Sequence, residues 1–214
     1  MNRIEKLIEE LCPDGVSYEP IGSPFVSTAI LAGATPSSSN SDYWDKGTIP
    51  WMSSGEVNKR TIYETDKKIT QAAYDATSTK LIPARSVVIA LAGQGKTRGT
   101  VARTRIELCT NQSLASVVTS MTMDSDFLFY YLSTQYEQLR NVSSGNGTRG
   151  GLNLRMIREY KVPVPPLAVQ EEIVKILDSF TLLEAELEAE LEARRKQYQY
   201  YRNELLNFRE RERE

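Results

Sequence analysis

The chain has 214 residues, 40% of them hydrophobic and 25% charged, with a net charge of −2. That length suits one domain, or one domain with an appendage, and the apolar content is enough to bury a core. Histidine is absent, which excludes imidazole acid–base catalysis, Ser-His-Asp and Cys-His nucleophile pairs, and HExxH zinc sites together.

The first residues are charged and place Ile4, Leu7, Ile8 and Leu11 at helical spacing, so they predict a short amphipathic helix and not a secretory signal. Pro13-Asp14-Gly15 ends it, and Val16 to Ile21 reads as a strand. Cys12 and Cys109 are isolated, with no CxxC pair; two reduced thiols in a cytoplasmic protein are expected. Residues 33–41 are rich in turn formers, and Ile49-Pro50-Trp51-Met52 resumes extended structure. A helix is expected around 69–76. Strands are expected at Ser86–Ala90, Thr100–Ala102 and Leu114–Val118. Asp126 to Arg140 has a helical pattern, capped near Asp124 or Ser125. Ser143 to Gly151 is too glycine-rich for a helix and reads as a polar loop. Tyr43, Trp44 and Trp51 could stack on bases, but packing in the core is the better reading.

A proline hinge, Val162-Pro163-Val164-Pro165-Pro166, then opens a long helix from about Ala168 to about Asn207. The prolines lack amide donors and hold the chain extended. Ile173, Ile176, Phe180, Leu183 and Leu187 step by 3, 4, 3 and 4 residues, the seam of a coiled coil. Leu191 follows by another step of four, a stutter, and Tyr198, Tyr201 and Leu205 continue the stripe. At roughly 40 residues the helix is about 60 Å long. A seam of that length must be buried, and the simplest cover is the same helix of a second chain. No apolar run approaches a bilayer span, so no membrane association is expected.

Charge is unevenly distributed. Residues 1–79 are net −4, residues 80–155 net +5, and residues 156–214 net −3. A basic middle segment suits local phosphate contact without a globally basic protein. Within it, Ala90-Leu91-Ala92-Gly93-Gln94-Gly95-Lys96-Thr97 nearly spells a phosphate-binding P-loop. Alanine stands where the motif requires glycine, and Arg98-Gly99-Thr100-Val101 favours a hairpin over the helix a P-loop needs. The better reading is a glycine-rich tip carrying Lys96, Thr97, Arg98, Arg103 and Arg105 toward a DNA backbone. Asn146, Thr148 and Arg149 form a second such loop, with side chains suited to base edges. Asn58, Lys59 and Arg60 form a polar turn after Trp51. No clustered carboxylates suggest a nuclease centre, and no adenine-methylation motif occurs. Three readings stand at this point: a non-catalytic DNA-recognition protein, a P-loop nucleotide-binding protein, and a purely structural coiled-coil adaptor.

Four segments, in order, resemble the specificity subunit of type I restriction-modification systems. They are Gly33-Ala34-Thr35-Pro36 with Tyr43-Trp44 and Gly47-Thr48-Ile49-Pro50-Trp51; Leu81-Ile82-Pro83 with Val87–Ala90 and Gly99-Thr100-Val101; Asn111-Gln112; and Leu152-Asn153-Leu154 through the hinge to Gln170-Glu171-Glu172-Ile173-Val174. The resemblance implies an α+β fold: a mixed α/β target-recognition domain, residues 1–165, followed by a long C-terminal coiled-coil helix, residues 166–214. It implies double-stranded DNA as ligand, with DNA adenine methyltransferase subunits and restriction/translocase subunits as partners. No cofactor is expected on this chain; S-adenosylmethionine would be bound by the methyltransferase. The family joins two recognition domains and two long helices in one polypeptide, and this chain has one of each. It therefore resembles a half subunit, natural or truncated, completed by homodimerisation through Ile173, Ile176, Phe180, Leu183, Leu187, Leu191, Tyr198, Tyr201 and Leu205.

Overall fold

The computed structural model describes residues 3–93, 97–142 and 151–208. The chain divides into two units, Met1–Glu172 and Ile173–Glu214. The first begins with helix α1 (Arg3–Leu11) and strands β1 (Tyr18–Pro20), β2 (Ser27–Ala32), β3 (Ile49–Met52), β4 (Thr61–Ile62) and β5 (Lys67–Ile69). Then come helix α2 (Gln71–Ala76) and strands β6 (Val87–Ala90), β7 (Val101–Thr104), β8 (Cys109–Thr110) and β9 (Leu114–Thr119). Helices α3 (Ser125–Thr134), α4 (Tyr136–Val142) and α5 (Leu154–Glu159), strand β10 (Lys161–Pro163) and helix α6 (Leu167–Leu205) complete the order. The fold is mixed α/β with a long C-terminal helix, as the sequence reading expects.

The main sheet has the order β2-β9-β6-β7-β4, antiparallel except for the parallel pair β4–β7. A three-stranded sheet, β5-β3-β8, packs beside it. Strand β6 is buried at all four positions, which explains its continuous apolar run: both faces are covered. One core cluster gathers Met52, Val57, Ile62, Ile82, Val88, Leu108 and Leu114. A second cluster holds Trp51, Ile69, Ala73 and Cys109, with Trp44 packed against it. The two indoles meet edge to face at 5.1 Å, and Trp51 is 5% exposed. Both cysteines are free and buried.

The helix expected from Asp126 to Arg140 is two helices. Gln135 separates α3 from α4, and its amide closes α3 by donating to Leu132 O at 3.0 Å. Asp124 caps α3, accepting from the amides of Asp126 and Phe127 at 2.8 and 3.0 Å. Such a cap satisfies two of the four amides that a helix start leaves without partners.

The hinge is built on a buried amide side chain. Gln170 is fully buried. Its Nε2 donates to Thr122 O at 3.0 Å and Pro165 O at 2.7 Å, and its Oε1 accepts from Asp124 N at 2.8 Å. The first turn of α6 is thereby fastened to the cap of α3, and Val169 beside it is 1% exposed. Strand β10 before the hinge pairs with β1, so both ends of the first unit meet in one small sheet.

Candidate nucleic-acid interface

Strand direction gathers the loops at one end of the sheet. Strand β2 ends at Ala32 beside Ala115, and β6 ends at Ala90 beside Leu114, the first residue of β9. Strand β7 begins at Val101 beside Ile89. Strands β3 and β8 run parallel and end together, Asn111 N–H donating to Met52 O at 3.1 Å. Segments 33–40, 53–60, 91–93, 97–100 and 111–113 therefore share one edge. Backbone bonds tie them to one another: Ala34 N to Thr110 O at 3.0 Å, Leu91 N to Ser113 O at 2.8 Å, and Leu152 N to Leu91 O at 3.0 Å. The last brings the chain after the second glycine-rich stretch to the edge occupied by the first. Gly99 has φ +84°, and a Cβ there would lie 3.3 Å from Tyr136 O and 3.5 Å from Arg140 Cγ, so α4 rests against the same hairpin.

Of the candidate residues, Asn58, Lys59 and Arg60 stand exposed at this edge. Asn58 and Lys59 belong to a 3-10 turn, Ser54–Lys59, which Arg60 caps and which is held by a capping box in which Glu56 Oε2 accepts from Ser53 N at 2.8 Å. Lys59 pairs with Asp66 at 2.6 Å and Glu56 at 3.2 Å. The hydrogen bond to Asp66 raises its pKa, with Glu56 adding to the effect and desolvation opposing it. Arg60 has φ +61° and ψ −45°, a strained backbone for a side chain with a Cβ. Its guanidinium lies 5.9 Å from the Phe129 ring. Thr97 and Arg98 are half-buried in the turn that enters β7. Lys96, Asn146, Thr148 and Arg149 lie outside the described residues.

Arg103 and Arg105 are corrections to the sequence reading. Arg103 is 6% exposed. It donates to Asp126 Oδ1 at 3.0 Å and to Thr61 Oγ1 at 3.1 Å, and lies 5.0 Å from the Phe129 ring centre and 5.2 Å from that of Tyr130. Arg105 follows β7 at the opposite end of the sheet, where Nη1 approaches Asp126 Oδ1 at 2.9 Å as an ion pair without hydrogen-bond geometry. Arg85 joins them, 2.8 Å from Asp124 and 3.9 Å from Asp126. These three cations hold the start of α3 against the sheet. A buried guanidinium already committed to a carboxylate does not reach a phosphate without leaving that carboxylate unpaired.

Charge and glycine content passed over Gln112 and Thr35 at the loop edge, and Arg140 was left out because it lies in a helix and not in a loop. Gln112 and Thr35 are exposed and hydrogen-bonded to each other. A glutamine there has the donor–acceptor pair that matches an adenine edge. Arg140 stacks on Tyr136 at 5.3 Å and donates to its hydroxyl at 2.7 Å. Asn111-Gln112 was visible in the sequence as part of the resemblance, but neither residue is charged or glycine-flanked.

The P-loop reading fails on geometry. Gly99 N donates to Ala90 O at 2.9 Å and Ala90 N to Thr100 O at 3.0 Å, so β6 and β7 form a hairpin, and the element that follows the loop is strand β7 and not the helix a P-loop requires. The far end of the sheet is different in chemistry. There a shallow groove is lined by Phe25, Val164, Pro165, Pro166 and Leu167, with Glu19 as its charge. Its lining is mainly carbon with the hydroxyls of Ser17 and Thr122 and one carboxylate, and the cations of that end, Arg85 and Arg105, are paired with Asp124 and Asp126.

In the second unit the seam residues form one stripe of α6. Ile173 and Ile176 are half-buried, whereas Phe180, Leu183, Leu187, Leu191, Tyr198, Tyr201 and Leu205 are 48–73% exposed. Ion pairs at i,i+4, Glu190–Arg194 at 3.4 Å and Glu192–Lys196 at 2.7 Å, support the helix on its solvated side. No described helix is long and apolar enough to cross a membrane.

Comparison with known proteins agrees with this architecture. The chain is 29% identical to the Escherichia coli type I restriction enzyme EcoR124I/EcoR124II specificity subunit, over 82% of this chain and 45% of that protein. It is 32% identical to the Escherichia coli EcoprrI specificity subunit, over 98% of this chain and 54% of that protein. The chain thus spans about half the length of these curated relatives. The HsdS subunit of Thermoanaerobacter tengcongensis shares the fold, with a TM-score of 0.62 at 18% identity over 87% of this chain and 44% of that one. A chain from a type I R-M system studied for complex assembly superposes with a TM-score of 0.65 at 20% identity, over 91% of this chain and 48% of that one. The family model for the type I restriction modification DNA specificity domain matches residues 27–193, from β2 into the middle of α6, and the chain belongs to that family.

Proposed function

We propose that this chain recognises DNA sequence for a type I restriction-modification complex and carries no catalytic centre. The loop edge, with Asn58, Lys59, Arg60, Thr97, Arg98 and Gln112, meets one half of a split target. Lysine and arginine there neutralise phosphate and fix register, while amide side chains read base edges. The α6 seam pairs with that of a second copy, so two recognition units are held a fixed distance apart. A twofold dimer reads an inverted repeat with an unread spacer. DNA adenine methyltransferase subunits, which bind S-adenosylmethionine, and restriction/translocase subunits supply the chemistry. The observation that carries this reading is the convergence of separate loops, tied by backbone bonds, on one end of the main sheet. The relatives' specificity-subunit names agree with it.

The test is an electrophoretic shift of the chain with its methyltransferase subunit on duplexes whose half-sites are moved apart one base pair at a time. Binding confined to one spacing is expected. Equal binding at every spacing and sequence contradicts the proposal.

A further inference from the structure

Two segments of the loop edge are tied into one mount. Ala34 is held at both of its backbone polar groups. Its N–H donates to Thr110 O at 3.0 Å, and its carbonyl accepts from Trp51 Nε1 at 3.0 Å. Pro36 is buried, and Ser37 O accepts from Trp44 Nε1 at 3.0 Å. The two indoles that meet edge to face therefore direct both of their N–H groups at carbonyls of this one segment. Beside it, Asn111 N–H donates to Met52 O at 3.1 Å, Leu114 N–H donates to Asn111 O at 3.2 Å, and Asn111 Oδ1 accepts from Ser113 N at 3.1 Å. Gln112 thus stands at the tip of a closed turn. Two exposed side chains meet across the mount: the Thr35 hydroxyl donates to Gln112 Oε1.

That contact is not needed to join the segments, because the backbone bond from Ala34 to Thr110 already does so. An exposed hydrogen bond replaces one made to water and adds little stability. Its consequence lies in the amide. The terminal torsion of a glutamine is broad and roughly two-fold, so a free amide offers oxygen or nitrogen to the same place. A hydroxyl donating to Oε1 fixes which end is oxygen. It leaves the second lone pair of that oxygen, and both hydrogens of Nε2, for a ligand.

Purines distinguish the two ends. Adenine presents an N7 acceptor beside an N6 donor, whereas guanine presents two acceptors, N7 and O6. An amide of fixed polarity gives Nε2–H to N7 and takes N6–H on Oε1. Against guanine the same amide sets oxygen against oxygen, and it turns over only by losing the Thr35 bond. A free amide turns without that loss and gives N–H to O6. Discrimination then rests on the rejected base as much as on the accepted one.

Resting on the proposed recognition role of the loop edge, we infer that Gln112 reads an adenine in the major groove and that Thr35 is its positioning residue, excluding guanine by fixing the polarity of the amide.

The test uses the full chain assembled with its methyltransferase subunit. Bound duplexes are selected from a random-sequence pool and sequenced for the wild type, Gln112→Ala, Thr35→Val and Thr35→Ser. In the wild type one position of the site should favour adenine over guanine by roughly 10- to 100-fold. Gln112→Ala should make that position indifferent. Thr35→Val keeps the shape of threonine without its hydroxyl, and should lower the adenine-to-guanine ratio there by about 10-fold; Thr35→Ser should restore it. Thermal unfolding should match the wild type throughout, because both side chains are exposed. Base preferences unchanged by Gln112→Ala, or a preferred base other than adenine at the position it affects, overturn the inference. So does an unchanged adenine-to-guanine ratio in Thr35→Val. A Thr35→Val chain that unfolds well below the wild type identifies the pair as a structural tie and overturns it too. A wild-type complex that enriches no sequence overturns the recognition role itself, and the inference with it.

Discussion

The pairing of α6 can be tested by removing two leucines from its seam. Leu187 and Leu191 are 57% and 52% exposed in the single chain, so about half of each side chain is already covered by its own helix. Complete burial of a leucine contributes about 1.5–3 kcal/mol, and covering the remaining half contributes about 1 kcal/mol. The Leu187→Ala/Leu191→Ala variant deletes four such side chains from a symmetric dimer, a loss of about 4 kcal/mol. That is roughly a 1,000-fold increase in the dimer dissociation constant. Alanine has the highest helix propensity, so the isolated helix should not weaken. Sedimentation equilibrium measures the association and far-ultraviolet circular dichroism checks the helix. An unchanged dissociation constant at unchanged helix content would refute the reasoning, because the seam would then be buried on nothing.

Three further outcomes follow from the first unit. Asp126→Ala strands the buried Arg103 and should destabilise that unit by about 3–5 kcal/mol in urea denaturation; a loss below about 1 kcal/mol would show the cluster is solvated. Gly33→Ala would place a Cβ 1.8 Å from Thr110 O. Backbone there cannot swing aside as a flexible side chain would, so a cost at the upper end of about 1–3 kcal/mol is expected; a neutral variant would refute the close approach. Burial raises the Cys109 thiol above its ordinary value, opposed by Thr79, and burial likewise raises Tyr131 and Tyr160. The folded state keeps protons that the unfolded chain releases as pH climbs through the ordinary thiol and phenol range. Stability should therefore fall as pH rises above about 9, and the urea midpoint at alkaline pH should lie below that at neutral pH.

Local chemistry was legible in the sequence wherever it decides the outcome. The hinge prolines and the 3-4 apolar spacing locate α6 within two residues at each end, and Asp124 announces the start of α3. The apolar run Val87–Ala90 marks the central strand because both its faces are covered. What escaped depends on distant partners. Arg103 and Arg105 look like free cations until Asp126, 23 residues from Arg103, is brought beside them by α3. Gln170 sits among charged neighbours, and nothing local marks it as the buried amide that locks the hinge. The break at Gln135 is hidden because apolar spacing runs through it. Charge drew attention to Arg60 and Arg98, which the fold places in the segments of the loop edge. Gln112 was missed because an uncharged amide acquires meaning only when β3 and β8 end side by side.

The central claim is that one end of the main sheet faces DNA and the other does not. Photo-cross-linking of the chain, assembled with its methyltransferase subunit, to halogenated target DNA tests this directly, with mapping of the attached peptides by mass spectrometry. Attachment within residues 53–60, 97–100 and 111–113 is the predicted result. Attachment concentrated at the opposite end, around Phe25, Thr122 and Pro165, would contradict it.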